Sequence, residues 1–323
     1  MKEPKVSFVI CTFNCKDYPE RCIKSIKKQD YPKNKIEILV VDSYSNDGTI
    51  EMVKKYGCKL ILTKIRGYME GKGMPKSIGC SKATGDIIVT IDSDNALVEK
   101  DWIKKTVYPL MIDKNIAFCI SRMAVVKSDP LINQYLSFVG TDPFAIYCSI
   151  DPQITLGNIK LEDKGKYYQY KNDLKNYFIA GGYYLAFRKE TLKKIGGYTR
   201  DVDVIYKLAK EGLSTLAIPK EAHMHHLMTK STSEFLRKKI KWASYYFNNP
   251  SLVREFKWSG GLFGKFGKIR FSYEILYNLL FVPAFFVSLK MLIKYNNKAW
   301  LLHPFLSCFT TMSYILAFIK TKF

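Results

Sequence analysis

The chain alternates short apolar runs with stretches whose apolar residues recur every three or four positions. Val6 to Thr12 is one such run, followed by Ile36 to Val41, the shorter Lys59 to Leu62, and Ile87 to Ile91. Unbroken β-branched and aliphatic runs predict strands covered on both faces, and so central strands of a parallel sheet. Between them the period changes. Pro19 and Glu20 suit a first helical turn, with Cys22, Ile23 and Ile26 as its apolar stripe. Asn46-Asp47-Gly48 is a turn and cap signal, and Ile50, Met52 and Val53 begin a second helix that Gly57 closes. Pro75 to Ala83 predicts a third helix, stopped near Gly85. Strand and helix alternating through short links give a doubly wound α/β domain.

From about Asn115 the alternation loosens. Tyr183 to Phe187 predicts a further strand, preceded by Ala180-Gly181-Gly182, where a backbone can approach a ligand closely. Leu192 to Ile195 reads as helical, Gly196-Gly197 breaks it, and Asp201 to Leu208 starts a helix with acids in its first turn. Near the C-terminus, Ile275 to Leu289 gives 15 uncharged residues, a helix of about 22 Å. Ala299 to Ile319 gives 21 uncharged residues, long enough to span a bilayer. The connector Lys294-Tyr295-Asn296-Asn297-Lys298 is basic, which opposes an outward hairpin loop. A transmembrane pair, a shallow re-entrant pair and two buried soluble helices all remain open. The division expected is a catalytic domain over 1–228, a basic juxtamembrane segment over 229–271 and the apolar helices over 272–323.

Charge sharpens this picture. The 323 residues carry a formal net charge of +22, which favours phosphates, nucleic acid or an acidic lipid surface as partners. Thr229 to Phe271 holds ten Lys or Arg against two Glu. That placement, beside the apolar segments, fits an anionic leaflet at about 1 kcal/mol per basic residue near the surface. The alternative is a solvated helix face. No nucleic-acid-binding module is recognisable, so nucleic acid is not expected as a partner. The eight cysteines are scattered without a C-x-x-C pair, as reduced, packed thiols would be. The N-terminus lacks the apolar core of a signal peptide, and a cytoplasmic catalytic domain is expected.

The candidate chemistry sits where the fourth run ends, at Asp92-Ser93-Asp94. Carboxyl ends of strands are where open α/β sheets collect ligands. Two acids there repel unless a cation joins them, and hard oxygen ligands suit Mg²⁺ or Mn²⁺, ions commonly shared with substrate phosphates. An acid pair in a turn after a strand is the plainer reading. Asp42 closes the second run in the same way.

Taken together, Val6–Asn14, Val40–Thr49, Gly71–Asn95 and Gly196–Gly212 resemble the family-2 inverting glycosyltransferases with a GT-A fold. The resemblance covers about the first two-thirds of the chain. It implies a mixed sheet flanked by helices and a nucleoside-diphosphate-sugar donor, UDP- or GDP-linked. Asp42 would accept from the base, with Thr12 and Asn14 near the nucleoside and Asp47 shaping that pocket. Asp92 would meet the ribose or a metal-bound water, and Asp94 would ligate the metal. Lys76 stands where the family usually has Arg, and Ser77 where it has Asn; a lysine there can meet phosphate as a point charge. Asp201 aligns with the general base, with Arg200 where Glu is usual, and an adjacent Arg would weaken it as a base. A lipid phosphate acceptor, already ionised, would need little base strength. Asp42, Asp47 and Asp203 also have a reading as turn and helix-end residues.

Lys238-Lys239-Ile240-Lys241-Trp242 echoes a Gln-x-x-Arg-Trp element of processive members, so Lys241 and Trp242 join Gly181 and Gly182 as acceptor-side candidates. An interfacial amphipathic helix is the other reading. His223, His225 and His226 lie where some GT-A enzymes supply a metal-ligating histidine. The implied function is a metal-assisted, inverting glycosyltransferase acting on a lipid-linked or membrane-proximal acceptor. The alternative is a non-catalytic sugar-nucleotide-binding membrane protein of the same fold.

Overall fold

The computed structural model describes residues 3–65, 74–140, 142–145, 149–150, 161–175, 177, 179–180, 184–248 and 267–320. The chain opens with strands β1 (Val6–Thr12), β2 (Ile36–Asp42), β3 (Lys59–Leu62), β4 (Ile87–Asp92), β5 (Asn95–Leu97), β6 (Ile116–Cys119) and β7 (Arg122–Met123). The later strands are β8 (Ser149–Ile150), β9 (Glu162–Asp163), β10 (Tyr167–Lys171), β11 (Ile179–Ala180), β12 (Tyr184–Arg188), β13 (Thr215–Pro219) and β14 (His223–His226). Helices are α1 (Pro19–Lys27), α2 (Thr49–Lys55), α3 (Pro75–Lys82), α4 (Trp102–Ile112), α5 (Leu131–Val139), α6 (Lys189–Lys194) and α7 (Asp201–Lys210). Then follow α8 (Thr232–Asn248), α9 (Gly267–Leu279), α10 (Phe281–Tyr295) and α11 (His303–Lys320).

Contacts divide the chain into two units. The first takes Met1–Ala124, Lys160–His226 and Arg254–Phe256; the second takes Val125–Ile159, Leu227–Val253 and Lys257–Phe323. The helix α5 lies early in sequence but belongs to the second unit, because Tyr135, Leu136 and Phe138 share a core with Phe235, Tyr277 and Trp300.

A nine-stranded sheet in the order β3-β2-β1-β4-β12-β6-β13-β10-β9 forms the first unit's frame. Strands β1 to β4 pair in parallel, whereas β12 runs antiparallel to β4 and β6. The expectation that β4 is a central parallel strand thus needs correcting on one side: it is parallel to β1 and antiparallel to β12. Its apolar run reflects two covered faces, and that holds whichever way the neighbour runs. β1 shows how both faces are filled. Phe8 and Ile10 pack with Cys22, Ile23 and Ile26 of α1 and with Trp102 of α4, while Val9 faces Gly79 of α3. A small second sheet, β5-β14-β7, stands at the same unit's edge.

In the second unit, His303 is fully buried between two phenols, with Tyr135 and Tyr277 each 2.8 Å from a ring nitrogen. The run Ile275 to Leu289, expected as one helix, is broken at Leu280, and Ser272–Leu279 and Phe281–Tyr295 meet at 82°. Pro283 is the cause: it has no N–H for the Leu279 carbonyl, and its ring clashes with that group in a continuous helix. By length and composition Lys298–Lys320 is long and apolar enough to cross a membrane, and the bent pair passes the same test only if taken as one span. Lys239, expected on an exposed basic segment, is 3% exposed and pairs with Asp142 Oδ2 at 3.0 Å. A buried ammonium needs such a partner.

Candidate active site

Register builds the site. Thr12, the last residue of β1, lies opposite Asp42 on β2, and Cys11 lies opposite Asp92 on β4. Both acids therefore reach the carboxyl edge of the sheet on either side of one strand. Asp42 is fully buried, and its carboxylate accepts from Thr12 Oγ1 at 2.6 Å, Ser45 N at 2.7 Å and Ser45 Oγ at 2.7 Å. Asn14, with φ of 45°, ties the β1 edge to the next turn: its N–H donates to Ser45 Oγ and its Oδ1 accepts from Asn46 N, both at 2.9 Å. Asp47 accepts from Lys16 N and from the N–H and hydroxyl of Thr49. Against the rise from burial, those donors hold its carboxyl below the usual range. The turn and cap duties of Asp42 and Asp47 are thus plainly present.

A second group gathers at the end of β4. Lys76, near the N-terminus of α3 and 6% exposed, places Nζ 2.7 Å from Asp92 Oδ1. The same nitrogen lies 3.0 and 3.1 Å from the two carboxylate oxygens of Asp201, the first residue of α7. Tyr198, 3% exposed, donates its hydroxyl to Asp201 Oδ1. Burial pushes the Asp92 carboxyl up to about 6, with Lys76 pulling the other way and Asp201 and Asp94 adding repulsion.

The third group is formed by the turn after β4 and by β14. His226 pairs in register with Asn95, one residue beyond Asp94, and its Nε2 lies 3.2 Å from Asp94 Oδ2. Burial pulls His226 down, but the Asp94 carboxylate outweighs it and holds the imidazole above its ordinary value. Arg21 of α1 braces this corner, donating to the Asp94 carbonyl at 2.5 Å and lying 2.6 Å from His225 Nδ1. Two donors about 2.1 Å from one ion and at right angles stand about 3 Å apart. The Asp94–His226 spacing fits that; the carboxylate oxygen suits Mn²⁺ or Mg²⁺, and the imidazole nitrogen beside it favours a transition metal such as Mn²⁺ over Mg²⁺. Among the described residues no three His, Cys, Asp or Glu converge into a closed cage. Two protein donors completed by substrate oxygens are what this corner could supply.

The sequence pattern of the family described as "Glycosyl transferase family 2" matches residues 7–196. The chain belongs to that family. A poly(ribitol-phosphate) β-N-acetylglucosaminyltransferase, TarS, from Staphylococcus aureus is 33% identical over 102 residues, covering 31% of this chain and 18% of TarS. A GalNAc(5)-diNAcBac-PP-undecaprenol β-1,3-glucosyltransferase from Campylobacter jejuni is 31% identical over 98 residues, 29% of this chain and 31% of that protein. The matched stretches thus span less than a third of either relative. Among solved structures, the mannosyltransferase PcManGT from Pyrobaculum calidifontis, in complex with GDP-Man and Mn²⁺, superposes with a TM-score of 0.54 at 17% identity. That superposition covers 100% of this chain and 89% of PcManGT. The fold of this family-2 member is GT-A, a large mixed sheet flanked by helices.

Of the residues singled out from sequence, Thr12 and Asp42 bond directly and Asn14 joins them through Ser45, Asp47 caps the turn that follows, and Lys76, Asp92 and Asp201 form a second cluster. Asp94 meets His226. Gly181 and Gly182 lie outside the described residues. Lys241 and Trp242 stand on α8 in the second unit, both exposed. Family matching ends at residue 196, so Asp201 and His226 lie beyond it. The sequence reading passed over Tyr198, Ser45 and Arg21. Tyr198 carried a faint signal, a polar aromatic directly after a Gly-Gly turn and three residues before an acid.

Proposed function

We propose that this chain transfers a sugar from a UDP- or GDP-sugar to a lipid-linked acceptor, with inversion at the anomeric carbon and with Mn²⁺ or Mg²⁺. One observation carries this reading: Asp42, Asp92, Asp94 and Asp201 all stand at strand or helix ends along one edge of the first unit. The match to family 2 and the GDP-Man and Mn²⁺ bound by PcManGT support it. Thr12, Asn14, Asp42 and Asp47 form the nucleoside end of the pocket, and Asp92 serves the ribose or a metal-bound water. Asp94 and His226 would hold the ion, which neutralises charge on the departing diphosphate when bound. Asp201 is the base. Its carboxylate takes the proton of the acceptor hydroxyl as that oxygen attacks from the side opposite the nucleotide, which is what an inverting displacement needs.

The second unit is the membrane seat of this reading. Phe281, Val282, Phe286 and Ile293 of the bent pair, and Phe305 and Leu316 of α11, are each more than half exposed. Apolar side chains in such number suit lipid better than water. Lys290, Lys294 and Lys298 lie on the same stretch, exposed, and suit anionic headgroups. Lys241 and Trp242, exposed on α8, remain the acceptor-side candidates of this reading, and the catalytic unit would face the cytoplasm. The relative that acts on an undecaprenol-linked sugar is in keeping with that acceptor class.

The test incubates the full chain, in detergent or nanodiscs, with a panel of UDP- and GDP-sugars, Mn²⁺ and a bacterial lipid extract. Release of nucleoside diphosphate from one donor, with an inverted product anomer by NMR, is expected. No release from any donor would overturn the enzyme reading, and binding without release would favour the non-catalytic alternative. A retained anomer would remove Asp201 from its role.

A further inference from the structure

Asp201 is held from two directions. Tyr198 donates to Oδ1, and Lys76 lies 3.0 Å from Oδ1 and 3.1 Å from Oδ2. A carboxylate offers about four lone-pair positions over its two oxygens. Two on Oδ1 and one on Oδ2 are taken, which leaves one position, on Oδ2. Lys76 is committed as well. An ammonium has three N–H donors; this one sits 3.0 and 3.1 Å from the two oxygens of Asp201, which share one N–H, and 2.7 Å from Asp92 Oδ1, which takes another. With its side chain 7% exposed, Nζ is turned inward to those two carboxylates and offers little surface to a phosphate.

We propose that Lys76 and Tyr198 are positioning residues that aim Asp201, so that its remaining Oδ2 lone pair receives the acceptor's proton, and that Lys76 is not a diphosphate ligand. This rests on the reading of Asp201 as the base. The surroundings explain why the grip is rigid. Tyr198 is buried edge-on against Phe187, with ring centroids 6.4 Å apart. Gly196 and Gly197, with φ of 76° and 96°, turn the chain so that Tyr198 comes under the first turn of α7; residues with a Cβ adopt such angles at a cost. Lys76 enters from α3, packed on β1 and β2. A lysine serves here because one compact ammonium can bridge two carboxylates. Removing either hand frees the Asp201 rotamer, and a displacement of about 1 Å at a reacting group can cost 10²-fold in rate.

Three variants of the full chain test this: Lys76→Met, Tyr198→Phe and Asp201→Asn. Calorimetric titration with Mn²⁺–UDP and Mn²⁺–GDP reads donor binding, and steady-state kinetics read kcat and KM. Lys76→Met is expected to lower kcat roughly 10²-fold and Tyr198→Phe roughly tenfold, each with nucleotide affinity kept within about threefold. A tenfold or larger loss of nucleotide affinity in Lys76→Met, with kcat preserved at saturating donor, would overturn the proposal and make Lys76 a diphosphate ligand. Thermal unfolding gives a second readout that needs no turnover. Lys76→Met and Asp201→Asn share one contact, so their combined Tm loss is expected to fall short of the sum by roughly 4 °C. Additive losses would overturn the clamp. A wild type that never turns over, with the melts still coupled, would sink the base assignment and leave the grip standing.

Discussion

Gly79→Ala sets two effects of known sign against each other at the helix that carries Lys76. Gly79 lies one turn after Lys76 on α3. A Cβ built there would stand 2.3 Å from Val9 Cγ1 and 3.0 Å from Val41 Cγ2. Alanine gains about 1 kcal/mol over glycine in a helix interior. Forcing a methyl into a filled core costs about 1–3 kcal/mol. Val9 and Val41 are both fully buried in adjacent central strands, and a β-branched side chain in a strand has little rotamer freedom to yield. The upper part of that range is therefore the relevant one, and a net loss of about 1–2 kcal/mol is expected, or roughly 5 °C in Tm. The helix moves away from the sheet, and Lys76 moves with it, so kcat falls roughly tenfold. Thermal unfolding followed by circular dichroism measures the first, and nucleotide release the second. Val9→Ala opens the space, so the double variant Gly79→Ala/Val9→Ala is expected to recover part of the activity lost in Gly79→Ala. A Gly79→Ala variant more stable than wild type, with unchanged kcat, would refute the close seating of α3 on the sheet.

Three further outcomes follow from the same reasoning. Lys239→Met is expected to cost about 1–3 kcal/mol in urea unfolding, since it takes the ammonium from Asp142, which keeps Tyr314 Oη and Phe144 N as donors, and adding Asp142→Asn is expected to return part of that. Glu99 accepts from His223 N at 2.7 Å and lies 2.6 Å from its Nδ1; burial raises its carboxyl, but these bonds outweigh that and hold it below the usual range. A depressed folded value means stabilisation present above the unfolded value and lost as pH falls through the folded one, so the stability gap between wild type and Glu99→Gln is expected to begin narrowing as pH falls through the unfolded glutamate value of about 4.3 and to go on narrowing below it. Phe281→Asp combined with Phe286→Asp is expected to abolish co-flotation with vesicles of phosphatidylglycerol and phosphatidylcholine while leaving nucleotide binding intact; unchanged flotation would remove the bent pair from the membrane seat.

The half of the fold that positions the acids was legible because strands covered on both faces leave unbroken apolar runs, and these runs end in Asp42 and Asp92. Val9 against α3 and Phe8 against α1 and α4 are the two coverings that remove polar alternation from β1. What stayed hidden is pairing across long separations. Lys76 meets Asp201 over 125 positions, and Arg21 meets His225 over 204. Arg200, adjacent in sequence, was the expected neighbour of Asp201, yet it stands at the N-cap of α7 while a lysine from another helix makes the contact. The run of lysines in α8 read as uniformly exposed, and nothing local marked Lys239 as the one that turns inward. Pro283 was visible, but whether a proline kinks a helix or splits it depends on packing that the pattern does not contain.

Titration of UDP and GDP into the full chain, with Mn²⁺ and again with EDTA, tests most directly whether an ion at Asp94 grips the diphosphate. Metal-dependent binding of one nucleotide is expected in the wild type, weakened at least tenfold in Asp94→Asn and in His226→Ala. Equal affinity in EDTA, or an Asp94→Asn variant that binds as the wild type does with Mn²⁺, would contradict it.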